Sequence, residues 1–223
     1  MSVTAVTIEV EGAGAVSALW QARANPLAVL TLAHGAGAGM SHRAMAEIAD
    51  GLEARGVATL RYQFPYMERG GKRPDGLPVA KATVRAAVAE ARVLAKGAKL
   101  FAGGRSFGGR MTSQAQAEEP LVGVAGLIFF AFPLHPAGKP AVTRAEHLVD
   151  VAIPMLFLQG SKDALAELNL LQETVARIGA RATLDLTVDA DHAFHVPART
   201  GRKDAEVLGL ALDAAVKWMA TVA

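Results

Sequence analysis

The chain has no cysteine. Disulfides, thiolate metal sites and a cysteine nucleophile are thereby excluded. It also lacks a charge imbalance: 23 Lys plus Arg stand against 21 Asp plus Glu, a formal net charge of +2. So small a balance makes no strong field, and nucleic acid is not an expected partner. The first twelve positions lack the basic and apolar regions of a secretory signal, so the expected location is cytoplasmic. Only Pro120 to Gly138 invites comparison with a membrane segment, since it carries no Asp, Glu, Lys or Arg. Pro133, His135 and Pro136 interrupt it, and its apolar part is short for a bilayer span. A buried strand with its following loop explains it better, and no membrane partner is expected. No internal repeat and no interdomain linker is found, so the expectation is one domain over residues 1–223. A hydrophobic content of 52% suits a large core rather than a disordered chain.

What is present is an alternation of short apolar runs and helical patterns. Thr4–Glu11 and Val16–Gln21 read as an antiparallel pair of strands around Gly12-Ala13-Gly14. Ala28–Ala33 is nearly continuous in apolar residues, as in a strand covered on both faces. Ser41 is placed to cap a helix running to about Arg55. Val57–Arg61, Lys99–Ala102, Val122–Phe132, Ile153–Gln159 and Ala182–Val188 read as further strands. Val79–Lys96, Phe107–Glu118, Leu165–Ile178 and Lys203–Ala220 read as helices, and Tyr62–Pro78 as a long loop. Alternation of this kind predicts an α/β fold with a mostly parallel sheet and helices on both faces. The segment between Phe132 and Ile153 is too short for a substantial cap domain.

One stretch carries chemistry. An apolar strand ends in Gly103-Gly104-Arg105-Ser106-Phe107-Gly108-Gly109, which is G-x-S-x-G between a strand and a helix. In that context the pattern is a nucleophile elbow, a tight turn that pushes the serine out at the top of the sheet. Five residues alone are within reach of chance, and a serine there can simply cap the next helix. The partners decide. A serine hydroxyl needs a base, and histidine has the appropriate pKa. His192 follows the last strand; His135 is a second candidate, while His195, His42 and His147 are less well placed. The base needs an orienting carboxylate. Asp163 follows the Ile153–Gln159 strand, although it could instead cap the next helix; Glu167 is more distant, and Asp191 adjoins His192 too closely to face its ring.

An oxyanion hole needs backbone N–H donors. Phe107, after the serine, is one, and Ala36 in the loop His34-Gly35-Ala36-Gly37 is the other. That loop also invites a dinucleotide-binding reading, but its glycines lack the G-x-G-x-x-G spacing, and the next strand ends in Arg61 rather than an acid.

The order Ser106, Asp163, His192 and the stretches His34–Gly39, Gly103–Arg110, Gln159–Asp163 and Asp191–Phe194 resemble the α/β-hydrolase superfamily. More narrowly, they resemble small lidless hydrolases related to dienelactone hydrolase, with Ser106 where those enzymes carry cysteine. The resemblance spans nearly the whole chain. It implies an eight-stranded sheet with an antiparallel second strand and a Ser–His–Asp esterase of carboxylic esters, with thioesters or small amides as variants. No metal and no organic cofactor is expected. Because some relatives act within complexes, a non-catalytic interaction module that kept the fold is the alternative. For a small-molecule ester, His34, Arg105, Arg110, Lys72 and Arg73 are candidate contacts, with Arg69 on the same basic loop. Those cations suit an anionic substrate; equally, they can be paired with nearby acids or lie on a solvated face.

Overall fold

A computed structural model describes residues 3–222. Eight strands form one sheet: β1 (Val3–Val10), β2 (Gly14–Gln21), β3 (Ala28–Ala33), β4 (Val57–Tyr62), β5 (Lys99–Arg105), β6 (Val124–Phe130), β7 (Met155–Gly160) and β8 (Ala182–Thr187). Their spatial order is β1-β2-β4-β3-β5-β6-β7-β8. β2 pairs antiparallel with both β1 and β4, and every other pairing is parallel. The helices are α1 (Arg43–Ala54), α2 (Pro65–Glu68), α3 (Leu77–Ala95), α4 (Phe107–Glu118), α5 (Leu168–Ile178) and α6 (Asp204–Thr221).

Period-two alternation sorts the side chains of a central strand to two cores. Along β3, Val29 and Ala33 join the cluster that includes Val84 and Val88 of α3 and Met111 of α4. Leu30 and Leu32 join the opposite cluster with Met45, Ile48 and Leu52 of α1 and Val207 and Ala211 of α6. Both faces of β3 are therefore covered, which is why its sequence is apolar without a break. Each large side chain buried this way contributes about 1.5–3 kcal/mol.

Several element boundaries differ from the sequence reading, each for a local reason. His42, not Ser41, caps α1, its Nδ1 accepting the Ala44 N–H at 3.2 Å. The loop after β4 contains the single turn of α2, begun by Pro65 at a position where proline costs no hydrogen bond. α5 begins at Leu168, because Asp163 Oδ1 accepts the Leu165 N–H at 2.8 Å and holds residues 163–165 in a turn. Pro154 precedes β7, and its carbonyl accepts the Leu127 N–H of β6 at 2.9 Å. Between β6 and β7 the only regular element is a 3₁₀ segment, Thr143–Asp150, so no helical lid is inserted there. Among the described residues no helix is long and apolar enough to cross a membrane.

Candidate active site

Ser106 sits at the junction of β5 and α4 with φ 52° and ψ −117°, a backbone conformation that non-glycine residues avoid. Its neighbours enforce it. The Ser106 N–H donates to Phe130 O of β6 at 2.9 Å, and its carbonyl accepts the Arg110 N–H at 3.1 Å. The flanking glycines allow the turn to sit this low: a Cβ on Gly104 would collide with Ala33 O, and one on Gly108 would lie 2.5 Å from the same oxygen. Although Ser106 occupies the cap position of α4, its side chain makes no capping hydrogen bond. The hydroxyl is directed elsewhere.

It is directed at His192, whose Nε2 lies 2.9 Å from Ser106 Oγ. The other ring nitrogen, Nδ1, lies 2.7 Å from Asp163 Oδ2. A neutral ring with its proton on Nδ1 donates to the carboxylate and presents Nε2 as acceptor to the hydroxyl. The Asp163 side chain is fully buried and that of His192 is 24% exposed, so the carboxylate lies inside and the imidazole reaches towards the surface. The His192 loop is shaped by Asp191, whose Oδ1 accepts the N–H groups of Ala193 at 2.7 Å and His195 at 3.0 Å. Asp191 thus points back into its own loop. Gly160 lets that loop close on β7, since a Cβ there would collide with Ala190 O.

Asp163 engages both carboxylate oxygens without capping α5, whose cap position falls to Glu167. One oxygen takes the Leu165 N–H, and the other faces His192. A group without an assigned role in the sequence completes its shell: Gln159 Nε2 donates to Asp163 Oδ2 at 2.5 Å, while Gln159 Oε1 accepts the Phe132 N–H at 2.8 Å. Gln159 is wholly buried at the end of β7, and a polar residue closing an apolar strand was the signal available.

Ser106, Phe107 and Ala36 line one pocket of about 720 Å³, together with Arg73, Pro74, Asp75, Gly76, Leu77, Arg110, Pro133, Arg144 and Leu165. Among the described residues no hydrogen bond occupies the N–H of Phe107 or of Ala36. The Ala36 loop is held from behind. Tyr66 OH donates to Ala36 O at 2.8 Å, and His34 Nε2 accepts the Phe64 N–H at 3.1 Å. With Nε2 accepting, the proton of His34 resides on Nδ1, which donates to Gly35 O at 2.7 Å. Burial lowers the His34 pKa, in keeping with a neutral ring. Phe64 packs edge-on against both His34 and Phe107, at centroid distances of 5.0 and 5.3 Å. This scaffold comes from the stretch that read as loop.

The expected substrate contacts divide. Arg73 and Arg110 line the pocket with Ser106. His34 does not: it is fully buried, with both ring nitrogens engaged. Arg105 lines a separate groove between α1 and α6, and its guanidinium reaches His192 O at 3.4 Å. Burial lowers its pKa, and the nearby Asp163 and Asp191 oppose that shift. Lys72 is exposed and outside the lining, and Arg69 pairs with Asp75 at 2.7 Å. Arg144 lines the pocket and had no signal in the sequence, because the turn that carries it does not follow from periodicity. His135 is buried, its Nε2 accepting the Glu167 N–H at 3.2 Å, so both residues are drawn into one structural contact. His195 pairs with Asp204 on the surface. Arg61 is buried and donates to Gln21 Oε1 at 2.9 Å and to Met40 O, just past the glycine loop, at 3.5 Å. Among the described residues no cluster of three His, Asp or Glu side chains is arranged to hold a metal ion.

An eight-stranded sheet with its second strand reversed, carrying a serine on a strained strand-to-helix turn, defines the α/β-hydrolase class. The chain belongs to the family of alpha/beta hydrolase domains, whose family model matches residues 26–220. Its fold is similar to that of a serine hydrolase without lid from Xanthomonas campestris, with 20% identity, TM-score 0.74, and coverage of 98% of this chain and 95% of the other. It is also similar to a dienelactone hydrolase from Anabaena variabilis, at 18% identity and TM-score 0.75 over 95% of each chain. A third similar structure is Est1E from Butyrivibrio proteoclasticus, at 15% identity and TM-score 0.73 over 97% of this chain and 99% of that one.

Proposed function

We propose that this protein is a serine hydrolase that cleaves a small carboxylic ester through an acyl-enzyme intermediate. The observation that carries the reading is the linear relay from Asp163 Oδ2 through His192 to Ser106 Oγ, at 2.7 and 2.9 Å. His192 takes the hydroxyl proton as Ser106 Oγ attacks the ester carbonyl. The negative charge then forms on the carbonyl oxygen, where the N–H groups of Phe107 and Ala36 receive it. Collapse of this intermediate expels the alcohol, protonated by His192, and leaves an ester bond to Ser106. Water, deprotonated by the same imidazole, attacks that bond and frees the acid. Asp163 holds the ring in the tautomer that the first step requires.

Chemically related neighbours support the reading. Other similar folds include the esterase domain of a Rhodothermus marinus protein and a cold-adapted esterase from an Arctic intertidal metagenomic library. Thioesters and small amides follow the same steps. The test is turnover of p-nitrophenyl acetate by the wild-type protein and by Ser106→Ala. Loss of about 10³-fold or more in kcat is expected for the variant. Equal rates in the two proteins would refute the reading.

A further inference from the structure

The arginines of this molecule separate into two groups. Wherever an arginine is partly or wholly buried, its guanidinium generally has an oxygen partner. Arg55, Arg61, Arg85, Arg105, Arg181 and Arg202 each donate to a carboxylate, amide or carbonyl oxygen. Arg110 and Arg144 are also half-buried, yet among the described residues neither guanidinium makes an ion pair or a hydrogen bond. Both line the pocket that holds Ser106.

Their placement is built by the fold. Arg110 lies in the first turn of α4, four residues after Ser106, and its backbone N–H donates to Ser106 O at 3.1 Å. Arg144 comes from the 3₁₀ segment Thr143–Asp150, which packs on α4. A half-buried polar contact pins the segment there: Ser113 Oγ of α4 lies 2.7 Å from His147 Nε2, and the hydroxyl also donates to Arg110 O at 3.0 Å. The two guanidinium charges are close enough to oppose each other. Burial lowers the Arg110 pKa first, and Arg144 lowers it further. The pocket's one carboxylate does not relieve them, because the oxygens of Asp75 accept from Arg69 and from the Tyr66 N–H, each at 2.7 Å. Two like charges, half desolvated and without a counter-ion, cost free energy that a folded chain ordinarily avoids. A ligand that brings the counter-charge recovers it.

We propose that Arg110 and Arg144 form an anion subsite beside Ser106, and that the substrate is an ester carrying a carboxylate or phosphate group. This rests on the hydrolase reading for the ester, but not for the anion. The planar guanidinium pair offers forked N–H donors to either oxyacid. Arg73, at the pocket mouth, adds a third positive charge to the approach path.

Two measurements separate the anion subsite from the reaction. The first compares kcat/KM for the mono-p-nitrophenyl ester of glutaric acid with that for p-nitrophenyl valerate, which has the same chain length without the charge. The wild-type protein is expected to prefer the glutarate ester. Arg110→Gln and Arg144→Gln should each reduce the ratio by about tenfold or more, the ordinary weight of one charge-assisted bond. Arg177→Gln, the same charge change on the exposed side of α5, should leave the ratio unaltered. An unchanged ratio in both pocket variants overturns the proposal. The second titrates glutarate and, separately, inorganic phosphate into Ser106→Ala by calorimetry. Saturable binding of either anion that disappears in Ser106→Ala/Arg144→Gln supports the subsite, and the tighter binder identifies the oxyacid. Binding of neither overturns it. If anions bind but no ester is turned over, the subsite stands and the hydrolase reading falls.

Discussion

Gln159 donates to the same Asp163 oxygen that faces His192, at 2.5 Å, from the penultimate position of β7. The carboxylate is thus fixed from the strand as well as from its own loop. Gln159 simultaneously accepts the Phe132 N–H, which ties the end of β7 to the chain leaving β6. A single buried amide therefore sets both the acid and the wall beside it.

Replacing Gln159 with leucine removes both bonds and leaves the Phe132 N–H and one face of Asp163 unsatisfied. The expected result is a loss of about 1–3 kcal/mol in stability, together with a fall in kcat for ester hydrolysis of about tenfold. Chemical denaturation and steady-state kinetics on the same preparation measure the two effects. Wild-type kcat in Gln159→Leu would show that the amide does not position Asp163.

The elbow glycines are steric requirements. A methyl at Gly104 would collide with Ala33 O and one at Gly108 would stand 2.5 Å from it, both against rigid backbone. Gly104→Ala and Gly108→Ala should each destabilise the protein by about 2 kcal/mol or more, as overpacking against backbone does. Gly37→Ala, where a methyl would enter open space, serves as the contrast. Thermal unfolding followed by circular dichroism compares the three.

His147 predicts an acid-sensitive stability. Burial, and secondarily the charge of Arg110, lowers its pKa to about 4, against about 6.5 for a free histidine. The unfolded chain therefore binds a proton between these pH values that the folded protein does not. Stability should rise with pH through that window and decline as pH falls from about 6.5 towards 4. The contribution of His147 is at most about 3 kcal/mol, reduced by its partial exposure. The buried His34 shifts in the same direction and adds to the slope. The Tm of His147→Gln should depend less on pH than that of the wild type over this range. Equal slopes would show that His147 is not the group responsible.

The residues whose proximity was legible in sequence were those placed by chain position. Ser106, Asp163 and His192 each follow a strand, and strand ends in a parallel sheet converge on one edge, so order along the chain became proximity. The burial of β3 was legible for the same reason, through its unbroken apolar run. What escaped were contacts made by side chains across loops. Tyr66 reaches Ala36 and Phe64 packs on Phe107 from a stretch whose composition says only loop. Arg144 became a neighbour of Arg110 through a 3₁₀ segment that has no periodic signature. His34 and Arg105 looked available because they adjoin the site in sequence. The fold turned one inward and the other to a different groove.

Whether Ser106 is an activated nucleophile is tested most directly by covalent trapping. The protein is treated with a fluorophosphonate probe, digested, and the modified peptide located by mass spectrometry. One adduct is expected, on Ser106, absent in Ser106→Ala and strongly slowed in His192→Ala. A well-folded protein that acquires no adduct at Ser106, or that is labelled equally fast without His192, would contradict an activated serine.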